Sequence, residues 1–210
     1  MSIILALLNG FLWSLLDLLR KKSLKYFNEF DVVFALVSSQ LLFFSFLLFF
    51  VNLHIKSMHY IFYILPLIVL NTISLFLFLK AIKFSDISLS IPLLSFTPLF
   101  STIYAYFFLR EKLYVSELLG IVSIIIGILI LYAKSMSLKS LIQSPIRIFN
   151  NSSARYMIII ALIWSLTPVL DKKSLEYTNI FFHGFLQSLG TICILIFFFS
   201  GKKNQKLTYY

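Results

Sequence analysis

The chain has 210 residues, of which 60% are hydrophobic and 12% charged, with a mean hydropathy of +0.96. These values exclude an ordinary soluble globular domain and are typical of a polytopic membrane protein. The formal charge of +10 would suggest nucleic acid in a soluble protein, but here the basic residues stand in short gaps between apolar runs. Lipid headgroups and the positive-inside rule require this placement, so the predicted partner is the bilayer and not nucleic acid.

The first apolar run begins at the N-terminus, MSIILALLNG, with no basic residue before it and no small-residue cleavage pattern after it. We therefore interpret it as a retained helix and not as a signal peptide. Crossing about 30 Å of hydrocarbon takes about 20 apolar residues, and spans without access to water must be helical. Seven segments qualify, which predicts an all-α fold: approximately Ile3 to Leu19, Val32 to Leu53, Tyr60 to Leu79, Ile87 to Leu109, Val115 to Ala133, Arg155 to Leu170 and Ile180 to Ser200.

One stretch of sixteen residues occurs twice. WSLLDLLRKKSLKYFN begins at Trp13 and WSLTPVLDKKSLEYTN begins at Trp164, an offset of 151, and ten of the sixteen positions are identical. Five predicted helices separate the two copies. Because five is odd, the second copy enters the membrane from the opposite side, so we predict an inverted-topology repeat.

The repeat predicts the domain organisation. Residues 1–134 form the first five-helix repeat, 135–153 a linker, 154–200 the first two helices of a second repeat, and 201–210 a tail. The linker is expected to be a short interfacial helix broken at Pro145, or a solvated connection. The second half is expected to be incomplete, because a full copy would need three more helices than these 210 residues contain.

The stretch from Leu79 to Leu131, LKAIKFSDISLSIPLLSFTPLFSTIYAYFFLREKLYVSELLGIVSIIIGILIL, resembles the second part of an EamA domain of the drug/metabolite transporter superfamily. The resemblance implies ten helices in two five-helix halves with a small-molecule path between them, and a cytoplasmic N-terminus. Thirteen Lys and Arg on the side of the first loop, against five on the other, instead place the N-terminus outside, so orientation is left open. The matching residues are Ser85, Asp86, Pro98, Glu111, Gly120 and Gly127, with Trp13 and Trp164 on the first and sixth helices.

Residues of the first helix share one face at helical spacing: Asn9, Trp13 and Asp17, beside a small-residue pair formed by Gly10 and Ser14. The sixth helix repeats the small pair. Two readings stay open: close helix packing with an interfacial tryptophan, or Trp13 and Trp164 lining a central cavity from symmetry-related positions. Two interfacial ion pairs are expected, Asp17 with Lys21 and Asp171 with Lys172.

The fourth helix is the most polar span, and its two prolines, Pro92 and Pro98, predict a kink that frees backbone carbonyls. Interrupted helices indicate substrate sites in transporters. On the fifth helix Gly120, Ser123 and Gly127 predict a flat face for tight packing. The candidate path residues are Asn9, Trp13, Asn71, Ser95, Pro98, Trp164, Thr167 and Pro168.

The predicted function is a permease in the cell membrane that moves a small metabolite or drug-like solute by alternating access. No carboxylate lies at mid-depth in a span, which disfavours proton-coupled export of organic cations and favours neutral or zwitterionic solutes. Cys193 is the single cysteine, and His54 and His59 share no helical face, so no metal, cofactor or enzyme activity is predicted. A homodimer would supply the absent surface; the alternative is a truncated, non-transporting remnant or an accessory subunit.

Overall fold

The computed structural model describes residues 2–51, 53–110, 114–133, 135 and 137–206, and all regular structure in these residues is helical. Glu111, one of the residues that carry the family resemblance, lies outside the described part. The helices are α1 Ser2–Ser23, α2 Glu29–Leu47 with a 3-10 turn Leu48–Phe50, α3 Tyr60–Lys83, α4 Ile87–Ser90, a 3-10 segment Ile91–Phe96, α5 Thr97–Tyr104 with a π-helical turn Ala105–Leu109, α6 Val115–Leu131, α7 Leu138–Ile142, α8 Ser144–Asn150, α9 Ser152–Ser174 and α10 Ile180–Lys206.

Within the described residues, six helical stretches are long and apolar enough to cross a membrane, and α6 is a shorter apolar helix. These seven stretches correspond to the seven predicted segments. The all-α polytopic class predicted from composition is confirmed.

The fourth span, Ile87–Phe107, is not one continuous α-helix. The 3-10 segment begins next to Pro92 and α5 begins next to Pro98, because proline lacks the N–H that an α-helix needs. Near the first break, the Tyr132 hydroxyl donates a 2.9 Å hydrogen bond to the Leu89 carbonyl. The predicted interruption is therefore present as a change of helix type.

The connection between the halves is helical. α7 and α8 meet next to Gln143, and Pro145 stands in the first turn of α8, where a missing N–H costs nothing. Ser144 and Ile148 are buried. The sequence left two alternatives for this linker, a short helix or a solvated connection, and the helix is found. The break between α7 and α8 comes just before Pro145. The exposed face carries Leu138, Ile142, Ile146 and Phe149.

The two copies of the repeat fold in the same way. In each, an asparagine accepts a hydrogen bond from the backbone N–H three residues later and so caps the next helix: Asn28 from Asp31 and Asn179 from Phe182, both at 2.9 Å. The preceding turns also match. Their backbone bonds run from Leu24, Lys25 and Tyr26 to Arg20, Lys22 and Ser23, and from Leu175, Glu176 and Tyr177 to Asp171, Lys173 and Ser174.

The two repeated turns lie at opposite ends of α3. Next to the first turn, Glu29 forms a 2.9 Å ion pair with Lys83 at the end of α3. Next to the second, the Tyr177 carbonyl accepts a 2.9 Å bond from the Lys56 N–H, which precedes the start of α3. Because α3 has 24 residues, at about 1.5 Å each, its ends are about 36 Å apart. This is the placement that an inverted repeat predicts, and the inversion across the membrane stays a prediction.

Helices of the two halves pack against each other: α9 lies on α3 and on the broken fourth span, and α10 lies on α2 and α3. α10 approaches closely at two glycines. A Cβ at Gly184 would lie 2.4 Å from the Phe44 ring, and one at Gly190 would lie 2.4 Å from Ile68 Cδ1. The tight packing expected at the glycines of α6 is wrong for the described residues, because a Cβ at Gly120 or Gly127 would meet nothing within 4 Å there.

The small-residue pair behaves differently in its two copies. In α9, Ala161 and Ser165 are fully buried. In α1, Gly10 has open space beside it, and the Ser14 hydroxyl donates back to the Gly10 carbonyl of its own helix at 3.0 Å. Close packing at this pair is therefore confirmed for α9 and wrong for α1 among the described residues.

Candidate functional site

A polar contact joins the halves at the α3–α9 interface. The Trp164 indole N–H donates a 2.8 Å hydrogen bond to the Ser74 hydroxyl, and that hydroxyl donates a 3.0 Å bond to the Asn71 carbonyl. Ser74 is fully buried. Because its hydroxyl accepts from the Trp164 N–H, neither polar group is left without a hydrogen bond inside the membrane, which would be unfavourable. Of the candidate path residues, Asn71 is thus connected to Trp164 through its backbone carbonyl and the Ser74 hydroxyl.

The two repeated tryptophans are connected by a row of neighbouring aromatic and cationic groups. Phe78 lies 5.5 Å from Trp164 between ring centroids. Between Phe78 and Trp13, the Arg20 guanidinium lies 5.6 Å from the Phe78 ring and 5.3 Å from the Trp13 ring. Such cation–π contacts gain strength when they are shielded from water. We call Trp13, Arg20, Phe78 and Trp164 the tryptophan row; it connects α1, α3 and α9.

Arg20 is held in place by a carboxylate on its own helix. Its Nη1 forms a 2.9 Å ion pair with Asp17, and the two residues are 6% and 9% exposed. The predicted pair of Asp17 with Lys21 is therefore wrong, since Lys21 donates instead to the Ser85 carbonyl. The shorter i, i+3 spacing places Arg20 over the Asp17 side chain.

A cavity of about 300 Å³ opens between α1 and α2 beside Arg20. Its walls are mostly apolar, with charged groups from Arg20 and Asp31. The lining residues are Leu16, Leu19, Arg20, Ser23, Phe27, Asp31, Val32, Ala35 and Leu36.

A second polar cluster joins α3, α9 and α10. His183 Nε2 and Gln187 Nε2 lie 2.9 and 2.8 Å from Asp171 Oδ1, and the Tyr60 hydroxyl lies 2.8 Å from His183 Nδ1. Because a carboxylate oxygen only accepts, a His183 ring that carries its proton on Nε2 donates to Asp171 and accepts from Tyr60 at Nδ1. His183 Nε2 also lies 2.9 Å from Gln187 Nε2. Asp171 thus has partners on α10, and the pair expected between Asp171 and Lys172 stays a prediction.

The remaining path candidates are spread out. Asn9, Ser95, Pro98 and Pro168 are exposed on their helices. Thr167 is buried and donates a 3.1 Å bond to the Trp164 carbonyl of its own helix. None of the eight candidates lines the described cavity. Their assignment to a substrate path stays a prediction.

Comparison with known proteins identifies the family. The model of the EamA-like transporter family matches residues 1–133. The chain belongs to this family. No curated protein and no solved structure matches the chain. As an EamA-like transporter, the protein is an integral, multi-pass membrane transporter, in agreement with its six long apolar helices.

Sequence reasoning missed three residues of these sites in the EamA-like chain. The sequence analysis used Arg20 only in the count of basic residues beside the first loop. It did not distinguish Phe78 from the other phenylalanines, and it gave no role to His183. One signal was present: the repeat offset aligns Arg20 with Asp171, so opposite charges occupy equivalent places in the two halves. The described residues contain no group of three His, Cys, Asp or Glu side chains that could hold a metal ion.

Proposed function

We propose that this EamA-like protein is a permease of the cell membrane that moves a small metabolite or drug-like solute by alternating access. The observation that carries the proposal is the tryptophan row, which connects α1 and α3 of the first half to α9 of the second. Equivalent tryptophans at inverted positions meet there through Arg20 and Phe78. Rocking of one half against the other would open this row to each side in turn.

The polar break in the fourth span supports the same mechanism. The 3-10 segment Ile91–Phe96 contacts α9, as α5 does. Non-α backbone is tolerated at membrane depth where protein or a water-filled path satisfies it. Ser95 and Pro98 lie in this part of the chain.

The experiment begins with an untargeted metabolite comparison of cells with and without the chain, which identifies the solute. Transport of that solute is then measured for Trp13→Ala and Trp164→Ala in sealed vesicles. We expect each variant to transport at least tenfold more slowly at unchanged membrane abundance. Tyr26→Ala is the control, because Tyr26 is an aromatic residue at 78% exposure outside the row.

Two results would contradict the proposal. Equal metabolite profiles with and without the chain would favour the accessory-subunit alternative. Unchanged transport in both tryptophan variants would remove the row from the transport path.

We further propose that two copies of the chain associate along α1. The support is the contrast between equivalent helices: α9 is packed on α3 and the fourth span, whereas Trp13 on α1 is 49% exposed and Leu8 is 52% exposed. Helices associate in lipid where small residues allow their backbones to approach closely, and Gly10 of α1 has open space beside it among the described residues.

Cysteine crosslinking in native membranes tests this association. In a Cys193→Ala background, Leu8→Cys is expected to give a crosslinked dimer, whereas Ala161→Cys on the buried face of α9 is expected to give none. Monomers alone from Leu8→Cys and from neighbouring exposed positions of α1 would exclude the α1 dimer. The background is cysteine-free, because Cys193 is the single cysteine.

A further inference from the structure

The two repeated turns differ in how much of each is covered. In the first turn, Tyr26 is 78% exposed and Phe27 is 59% exposed. Their counterparts at the offset of 151 are Tyr177, which is half-buried, and Thr178, which is 9% exposed. Because the two turns have the same backbone hydrogen bonds, the difference depends on what packs against each turn.

The second turn is covered by residues 53–59, which lead into α3 and which we call the strap. The Lys56 N–H donates a 2.9 Å hydrogen bond to the Tyr177 carbonyl. In the other direction, the Thr178 hydroxyl donates a 2.9 Å bond to the His54 carbonyl. The strap belongs to the first half of the chain and the turn to the second, so these bonds join the halves.

Side chains of the strap add to this contact. The Lys56 ammonium donates a 3.3 Å bond to the Glu176 carbonyl. The Tyr177 ring stacks on His59 of the strap, with 6.5 Å between centroids, and on Tyr63 of α3, with 6.0 Å between centroids. Half-burial of Tyr177 is therefore a result of contacts with the first half.

The opposite end of α3 is joined less firmly to the second half. There the ion pair of Glu29 with Lys83 lies within the first half. The Lys80 ammonium lies 5.4 Å from the Tyr156 ring of α9, which is a contact between the halves. No hydrogen bond joins the halves at that end in the part of the chain that the structure describes.

We propose that the strap is a gate that closes the transport path on the side of the second turn. This inference rests on the proposed alternating access, in which one half moves against the other and opens the path to each side in turn. A state closed on one side needs firmer contacts between the halves at that side, and the strap supplies them. Lys56 is exposed, so water replaces its hydrogen bonds when the strap leaves the turn and the path opens there.

A reversible crosslink between the strap and the turn tests the gate in sealed vesicles. In the Cys193→Ala background, Lys56→Cys/Glu176→Cys places two exposed thiols across the contact for a short bifunctional thiosulfonate reagent. Transport of the solute identified above is expected to fall at least tenfold when this pair is crosslinked, and to recover when a reductant cleaves the crosslink.

Lys173→Cys/Glu176→Cys is the matched control, because these two side chains pair at 3.0 Å within the second half. Its crosslink does not join the halves and is expected to leave transport unchanged. Mass spectrometry of proteolytic fragments verifies the crosslink in both proteins.

Transport at the uncrosslinked rate in the crosslinked strap pair would overturn the gate alone. Equal losses in the strap pair and the control pair would also overturn it, because a crosslink inside one half would then be sufficient to stop transport. If the uncrosslinked parent moves no solute, the proposed function fails and the gate fails with it. Transport by the parent protein thus distinguishes the two failures.

Discussion

At the scale of single residues, the halves are joined by a few buried polar contacts. The Trp164 indole bonds to Ser74 at the α3–α9 interface, and the Tyr60 hydroxyl bonds to His183 between α3 and α10. Each contact pairs a residue of the first half with one of the second. In lipid, apolar side chains gain little by association, so such bonds give the interface its specificity.

Ser74→Ala is expected to destabilise the protein by about 1 kcal/mol, within the range of about 0.6 to 2 kcal/mol for bonds between membrane helices, because the Trp164 N–H loses its acceptor. Unfolding in mixed detergent measures this change. Ser123→Ala is the control, since the Ser123 hydroxyl donates only to the Leu119 carbonyl of its own helix. A double-mutant cycle with Trp164→Phe that gives no coupling energy would contradict the bond.

Tyr60→Phe should cost about 1 kcal/mol, because His183 Nδ1 then loses its 2.8 Å donor inside the bundle. The effect is expected to disappear in a His183→Leu background, since the two side chains act as one unit. Tyr63→Phe is the control on the same helix; its ring stacks on Tyr177, and that stacking survives the change. Additive effects of Tyr60→Phe and His183→Leu would refute the coupling.

At the scale of whole helices, glycine decides how closely α10 approaches its neighbours. Gly184 lies against the Phe44 ring of α2, and Gly190 lies against Ile68 of α3. α6 also contains two glycines, but neither has a neighbour within reach of a Cβ. The same residue type thus has a packing role in one helix and none in the other, within the described structure.

Gly184→Ala is expected to lower stability by about 1–3 kcal/mol, because the new Cβ would overlap the half-buried Phe44 ring, which has to move. Thermal unfolding in detergent checks this. Gly127→Ala, which adds a Cβ in open space, should be neutral or slightly stabilising, since alanine is the better helix former. Equal losses in the two variants would show that glycine acts through backbone flexibility and not through packing.

At the scale of the molecule, inversion of the repeat determines which side of the membrane each of the two repeated turns faces. The two repeated turns lie at opposite ends of α3, about 36 Å apart for a helix of 24 residues. Lys25 and Glu176 occupy equivalent exposed positions in these turns. Opposite sides of the membrane should therefore expose them.

Single cysteines at Lys25 and Glu176, in the Cys193→Ala background, test this topology with a membrane-impermeant thiol reagent. One position is expected to react in intact cells, and the other only after permeabilisation. The pair also decides between the two orientations, because the charge count and the family resemblance predict opposite results. Labelling of both positions from one side would contradict the inverted repeat.

The sequence by itself determined the fold class and the positions of the spans, and it predicted the inversion. Each of these follows from local composition or from counting: an apolar run must be helical in lipid, and an odd number of crossings reverses a repeated motif. Even the caps at Asn28 and Asn179 are local, because each side chain bonds to a backbone group three residues away.

Only the tertiary structure decided which of the repeated features form packing or hydrogen-bond contacts. The sequence treats Gly10 with Ser14 and Ala161 with Ser165 as equivalent, yet only the α9 pair is packed. Likewise the sequence aligns Arg20 with Asp171. It does not show that Asp171 has partners on α10, whereas the Arg20 Nε has no hydrogen-bond partner in the described part of the chain. These differences depend on which helices meet across long sequence distances. The helical periodicity of the sequence does not indicate which helices meet.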